Sequence, residues 1–195
     1  MKFLQIFKTS NPQKDKFLAR SFGIFSEEIV KIWCRDKRSP YEELGRPTLK
    51  KGSGKQCTLD FTFKSRRTDR IYICEMKCWL EYQNYHCLIL DSMKTLWEAW
   101  NFAFECFLDF SKRKNRYVVK INREPVRAAG SILIWATVSK QGRKAVMKET
   151  GLYDVLSLED IVTDLISWQN EEYQNFLNQR LEWFKALTND LSPKN

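Results

Sequence analysis

Asp60 to Lys77, DFTFKSRRTDRIYICEMK, is the stretch that decides the fold. TLDFTFK before its centre and RIYICEMKCW after it alternate and are rich in aromatic and β-branched residues, whereas SRRTDR between them holds no apolar residue. That is the pattern of a β-hairpin. Centring the turn between Arg67 and Thr68 fixes the register: Phe63 faces Tyr72, Thr62 faces Ile73 and Asp60 faces Glu75. Lys77 lies two residues beyond Glu75, so the period of 2 returns it to the same face. Two carboxylates and an ammonium then converge on one patch of sheet, with cross-strand Cβ atoms roughly 5 Å apart.

Such a trio has a physical use. Facing carboxylates repel each other unless a cation neutralises them. Mg²⁺ is bound through one or two carboxylates and fills its shell with waters and substrate phosphate. A metal held there polarises a phosphoryl oxygen and lowers the pKa of a bound water, and a nearby lysine orients that water or offsets charge developing on phosphate. The plain alternative is a surface hairpin with a cross-strand salt bridge. Glu75-Met76-Lys77 is, however, the only acid-x-Lys triplet in the chain, and its register partner is an aspartate.

Asp60, Glu75 and Lys77 resemble the signature of the PD-(D/E)XK nuclease superfamily in its restriction-endonuclease-like form: an aspartate on one strand, Glu-x-Lys on the next, and a preceding helix that often carries another acid. Leu59 stands where the family name has proline. The order helix, strand, strand, strand, helix, strand fits residues 14–139. The resemblance implies an α/β fold with a mixed sheet flanked by helices (an αβββαβ core), here followed by a C-terminal helical extension over 140–190 within one domain spanning 1–195. It implies Mg²⁺, with Mn²⁺ as a substitute, held by Asp60, Glu75 and the carbonyl of Met76. It also implies Lys77 at the attacking water, and phosphodiester hydrolysis of DNA to 5′-phosphate and 3′-hydroxyl ends. An endonuclease is the leading expectation. A repair or defence exonuclease, and a non-catalytic DNA-binding protein on the same fold, are the alternatives.

Composition agrees with a polyanionic partner. The net charge is +9, and residues 1–70 hold 17 Lys and Arg against 8 Asp and Glu, so the whole excess lies in the first third. Basic residues there suit DNA: Arg46, Lys50, Lys51 and Lys55 before Asp60, and Arg66 and Arg67 in the turn. KKGSGK is read as a flexible basic turn, not a P-loop, because Gln56 and a strand follow Lys55. The six cysteines show no C-x-x-C pair and read as reduced thiols. No signal peptide and no apolar run of 18 residues is seen, so the expectation is a cytoplasmic protein without a membrane span. His86, the only histidine, excludes a multi-histidine metal site.

Outward from the hairpin, residues 14–36 predict a long helix, with a break near Gly23, whose Phe22, Phe25, Ile29, Ile32 and Trp33 form an apolar stripe. The helical acid of the resemblance falls on Glu28 or Glu27. LGRPTLK predicts a strand. Residues 93–113 predict one core helix with Ser92 as N-cap and Trp97 and Trp100 on its apolar face. YVVKINREPV and SILIWATVS predict two strands. KQGRKAVMKETG predicts a helix ending at Gly151, and Ser157 a cap for the next helix. An amphipathic stripe over 159–190 leaves a homodimer open.

Overall fold

The computed structural model describes residues 2–52, 54–78, 87–98 and 101–192. The chain begins with a short helix α1 (Phe3–Phe7) and a long one, α2 (Pro12–Arg35). Asn11 caps α2 by accepting from the Lys14 N–H at 3.1 Å, and Pro12 follows at a position where a missing N–H costs nothing. The expected break at Gly23 is absent. One glycine costs a helix about 1 kcal/mol, and aromatic packing on both sides outweighs it: Phe22 lies 5.2 Å from Phe3 and from Phe7, and Phe25 lies 5.9 Å from Phe176.

Next come β1 (Tyr41–Glu43), β2 (Thr48–Lys51) and β3 (Gln56–Thr58), and then the hairpin, β4 (Phe61–Ser65) and β5 (Ile71–Lys77). The hairpin has the register expected from sequence, with Phe61 opposite Cys74, Thr62 opposite Ile73 and Phe63 opposite Tyr72. After it run β6 (Ile89–Leu90), α3 (Met93–Glu98), α4 (Phe102–Lys112), β7 (Tyr117–Ile121), β8 (Glu124–Val126), β9 (Ala128–Trp135) and β10 (Thr137–Val138). The chain finishes with α5 (Lys140–Thr150), β11 (Asp154–Ser157), α6 (Leu158–Ser167) and α7 (Glu171–Leu191).

The architecture is mixed α/β. The central sheet has the order β1-β4-β5-β9-β11, antiparallel across β1, β4 and β5 and parallel from β5 to β9 and β11. Between α2 and β9 the chain runs through β1 to β6, α3, α4, β7 and β8, more strands than the expected helix–strand–strand–strand–helix–strand order, and the central sheet takes only β1, β4, β5 and β9 from that stretch. Several sequence expectations need correction around this frame. TLDFTFK is not one strand: it breaks at Leu59–Asp60, and its first half, β3, joins a separate antiparallel sheet of order β3-β2-β7-β8. LGRPTLK belongs to that second sheet, and the strand beside β4 is Tyr41–Glu43. YVVKINREPV is a hairpin whose two turn residues, Asn122 and Arg123, both have positive φ (50° and 72°), as a type I′ turn requires. The C-terminal extension is not purely helical, since β11 becomes the fifth central strand.

Alternation sorts the central sheet into two faces. Phe61, Phe63, Tyr72 and Cys74 face α2, with Tyr41 lying 5.4 Å from Phe63 and 6.1 Å from Trp33. Ile73, Glu75 and Lys77 face the other way, toward α4, where the Lys77 ammonium lies 5.3 Å from the Phe104 ring centre. The helix expected over 93–113 is two helices: Ser92 Oγ accepts from Thr95 N–H, and a second start follows where Asn101 accepts from Phe104 N–H at 2.9 Å. Leu96, Phe104 and Phe107 are buried, whereas Trp97 is exposed; Trp100 lies outside the described residues. Ser157 caps α6 and Gly151 ends α5 with φ +74°, both as expected. α7 buries only Tyr173 and Phe176, and its later Leu181, Trp183, Leu187 and Leu191 are exposed. Among the described residues no helix is long and apolar enough to cross a membrane.

Two helical glycines test this packing in opposite directions. A Cβ on Gly23 would meet nothing within 4 Å, so Gly23→Ala should stabilise the protein by about 0.5–1 kcal/mol. A Cβ on Gly142 would press on the Leu90 carbonyl and lie 2.7 Å from Asp91 Cα. Gly142→Ala should therefore destabilise by about 1–3 kcal/mol despite the better helix propensity. Urea unfolding of the two variants beside the wild type reads both signs.

Candidate active site

Asp60 sits where the chain leaves the second sheet and enters the central one, so it has no ladder partner of its own. Leu59 N–H still donates to Pro47 O at 3.0 Å, extending the β2–β3 pairing, and Phe61 already pairs with Cys74. The Asp60 side chain fills the gap: Oδ2 accepts from the Met76 N–H at 2.8 Å. In a pleated strand the N–H and C=O of one residue point to the same neighbour. The Met76 carbonyl therefore opens on the Asp60 side as well, beyond the end of β4.

Glu75 and Lys77 stand two residues apart on β5, only 4% and 6% exposed. Lys77 Nζ donates to Glu75 Oε1 at 2.6 Å. The Asp60 carboxylate is a charged neighbour of Glu75. Burial first, and the Asp60 charge second, push the Glu75 carboxyl up to about 7, against the opposing pull of Lys77. Asp60 is the accessible member, with its side chain 18% exposed and Arg46 at 3.5 Å. The second sheet backs onto the same spot. Burial and the adjacent Cys106 thiol, with Glu75 as a further negative neighbour, push Cys57 of β3 up to about 12.

The structure thus brings together Asp60, Glu75, Lys77 and Met76, with Arg46 at the rim. It does not bring Glu28 to them. Glu28 lies on α2, across the sheet, where burial opposes its charge but Arg35 at 2.8 Å and Lys31 at 3.7 Å hold its pKa below the usual carboxylate value. Among the expected DNA contacts, Lys50 and Lys55 are exposed on the second sheet and its turn, while Lys51 is engaged by Asp109 at 2.7 Å. Arg66 and Arg67 lie at the far end of the hairpin, six and seven residues from Asp60, or about 20 Å along the strand. Arg66 there donates to Cys34 O. His86 falls outside the described residues. The Phe104 ring beside Lys77 was not anticipated as a site residue, although its place on the apolar stripe of α4 pointed it at the sheet.

Among the described residues no three His, Cys, Asp or Glu side chains form a metal cluster. The donor set is smaller and wholly of oxygen: two carboxylates and the Met76 carbonyl, with the Lys77 ammonium beside them. That set fits a hard divalent cation that keeps waters for the rest of its shell, and does not fit a soft one. Comparison with protein-family models, with curated proteins and with solved structures found no match.

The raised Glu75 carboxyl has a signed consequence for stability. Between pH 4.5, its unperturbed value, and about 7, the folded protein keeps a proton that the unfolded chain has released. Stability from this group is therefore full below pH 4.5 and lost as pH rises through 7. In EDTA, thermal unfolding from pH 5 to pH 8 should show this decline, and Glu75→Gln should flatten it. An unchanged slope would remove Glu75 as its source.

Proposed function

We propose that this chain is a divalent-metal-dependent deoxyribonuclease on a restriction-endonuclease-like α/β core. One observation carries the reading. An aspartate just ahead of β4 binds the edge of β5 beside its paired glutamate and lysine, in a central mixed sheet of order β1-β4-β5-β9-β11. Asp60, Glu75 and the Met76 carbonyl would hold Mg²⁺ or Mn²⁺, which supplies polarisation of the phosphoryl oxygen and a water of lowered pKa. Asp60 keeps its orientation through the Met76 N–H, and Arg46 at the rim meets a phosphate entering beside it. Lys77, held by Glu75 and lying beside the Phe104 ring, would place its ammonium charge near the attacking water or the charge developing on phosphate. Hydrolysis leaving 5′-phosphate and 3′-hydroxyl ends is the outcome carried over from the resemblance.

A second reading draws on the same contacts. Glu75 is already neutralised by Lys77, and Asp60 by Arg46 and the Met76 N–H, as they would be in a structural ion network of a DNA-binding protein without chemistry. The two readings part on activity. Supercoiled plasmid, linear duplex, single strand and a four-way junction incubated with Mg²⁺, Mn²⁺ or EDTA should be cut only with metal. Glu75→Ala and Lys77→Ala should each lower the rate by at least about 10²-fold, the scale of a lost acid–base or electrostatic contribution. Discrete bands would indicate a site-specific endonuclease, and a ladder an exonuclease. Absence of cutting with retained DNA affinity would select the non-catalytic reading.

A further inference from the structure

The second sheet is built from two segments far apart in sequence, and folding concentrates charge there. Residues 46–58 hold four Lys and Arg and no acid, and residues 112–127 hold seven against one glutamate. Their net charge slightly exceeds the +9 of the whole protein. In sequence the two segments are separated by residues 59–111; the pairing of β2 with β7 brings them onto one small sheet.

Alternation then divides that sheet. Leu49, Cys57 and Val119 are buried, and Lys51 and Tyr117 turn with them to the shared acceptor Asp109 on α4. That aspartate is held below the usual carboxylate range, first by its hydrogen bond from Lys51. The opposite face carries Thr48, Lys50, Gln56, Thr58 and Lys120, and the register sets Thr58, Thr48 and Lys120 in one row across the strands and Gln56, Lys50 and Val118 in the next. Lys50, Lys120, Arg123 and Arg127 form no ion pair with any described residue, and all four are exposed. A face that serves only to be solvated usually mixes both signs; this one carries no acid in either row.

Position gives the face its meaning. β3 ends at Thr58, two residues before Asp60, and Arg46 reaches from the start of β2 to Leu59 O at 3.3 Å and to Asp60. At the same end of the sheet, two strands across from β3, Arg123 occupies the second place of a type I′ turn, with φ +72°, where glycine fits most easily. A cation there projects from the tip of the β7–β8 hairpin.

We propose that the outer face of this second sheet is the docking platform for the phosphate backbone of duplex DNA, which it delivers to Asp60. The choice of DNA as the polyanion rests on the nuclease reading; the platform itself rests on charge and register. Alternating Lys and Thr on a flat face supply charged and neutral donors to phosphate oxygens without reading bases.

Anisotropy of a short labelled duplex, titrated with full-length protein in EDTA across a range of salt, tests the platform without requiring cleavage. Each lost phosphate contact lowers the salt slope by about 0.9, so Lys50→Ala/Lys120→Ala should lower it by about 1.8 and weaken binding about 60-fold at 0.1 M salt. Arg123→Gly should weaken binding while raising thermal stability, which separates lost contact from lost folding. Arg66→Ala/Arg67→Ala, at the far end of the central hairpin, should leave affinity unchanged. Wild-type affinity and slope in the Lys50/Lys120 variant would overturn the platform, as would equal losses in the Arg66/Arg67 variant. Tighter binding of an RNA duplex, or binding to phosphatidylserine vesicles and not to DNA, would overturn the assignment to DNA. Platform binding with no metal-dependent cutting would uphold this inference while the nuclease reading failed.

Discussion

The structure depends on a buried charge. Glu75 is placed in the middle strand of the sheet and turned under α4, where an isolated carboxylate costs several kcal/mol. Three things reduce that cost: the Lys77 ammonium at 2.6 Å, the aromatic ring above it, and the freedom of the carboxyl to keep its proton near neutrality. Asp60 pulls the other way, since a second carboxylate nearby raises the cost again. A core laid out for stability alone would put an apolar residue at position 75, as Leu133 is on the neighbouring strand. The position instead holds an acid, with a second acid beside it, at a cost that packing does not recover.

The access that Asp60 has comes from a broken strand. Were TLDFTFK continuous, Asp60 would be locked into a ladder, with β4 covering the edge beside Met76. The chain instead changes sheets at Leu59–Asp60, leaving Met76 with a side-chain partner in place of a strand. The same break hands the preceding residues to the second sheet, so the basic face and the acidic patch are separated by two residues. One irregularity thus leaves Asp60 the accessible acid and sets the basic strands directly ahead of it.

Much of this was legible in the sequence, for reasons that are local. The hairpin register follows from a period of 2 and a polar turn, and these suffice to pair Phe63 with Tyr72. The caps at Ser157 and Gly151 are short-range signals and read correctly. What failed depended on distant partners. Nothing in TLDFTFK says that its halves pair with different sheets, because Thr48 and Lys120, which define the second sheet, are separated by most of a domain. Tyr41–Glu43 is too short to show alternation and is a strand only because β4 offers it an edge. Periodicity placed an acid of α2 near the sheet, but periodicity does not say which face of the sheet a helix covers, and α2 covers the one opposite Glu75. Trp97 looked like core because it is large and in register; the restart of the helix at Asn101 leaves it outside.

The outer strands of the two larger sheets are short. β1 and β3 are three residues each, β11 is four, and β8 carries Pro125, which has no N–H to donate. None offers a row of free backbone groups long enough to template a foreign strand. Among the described residues, the two larger sheets thus give little purchase to edge-to-edge addition, the route by which exposed sheets pass into fibrils.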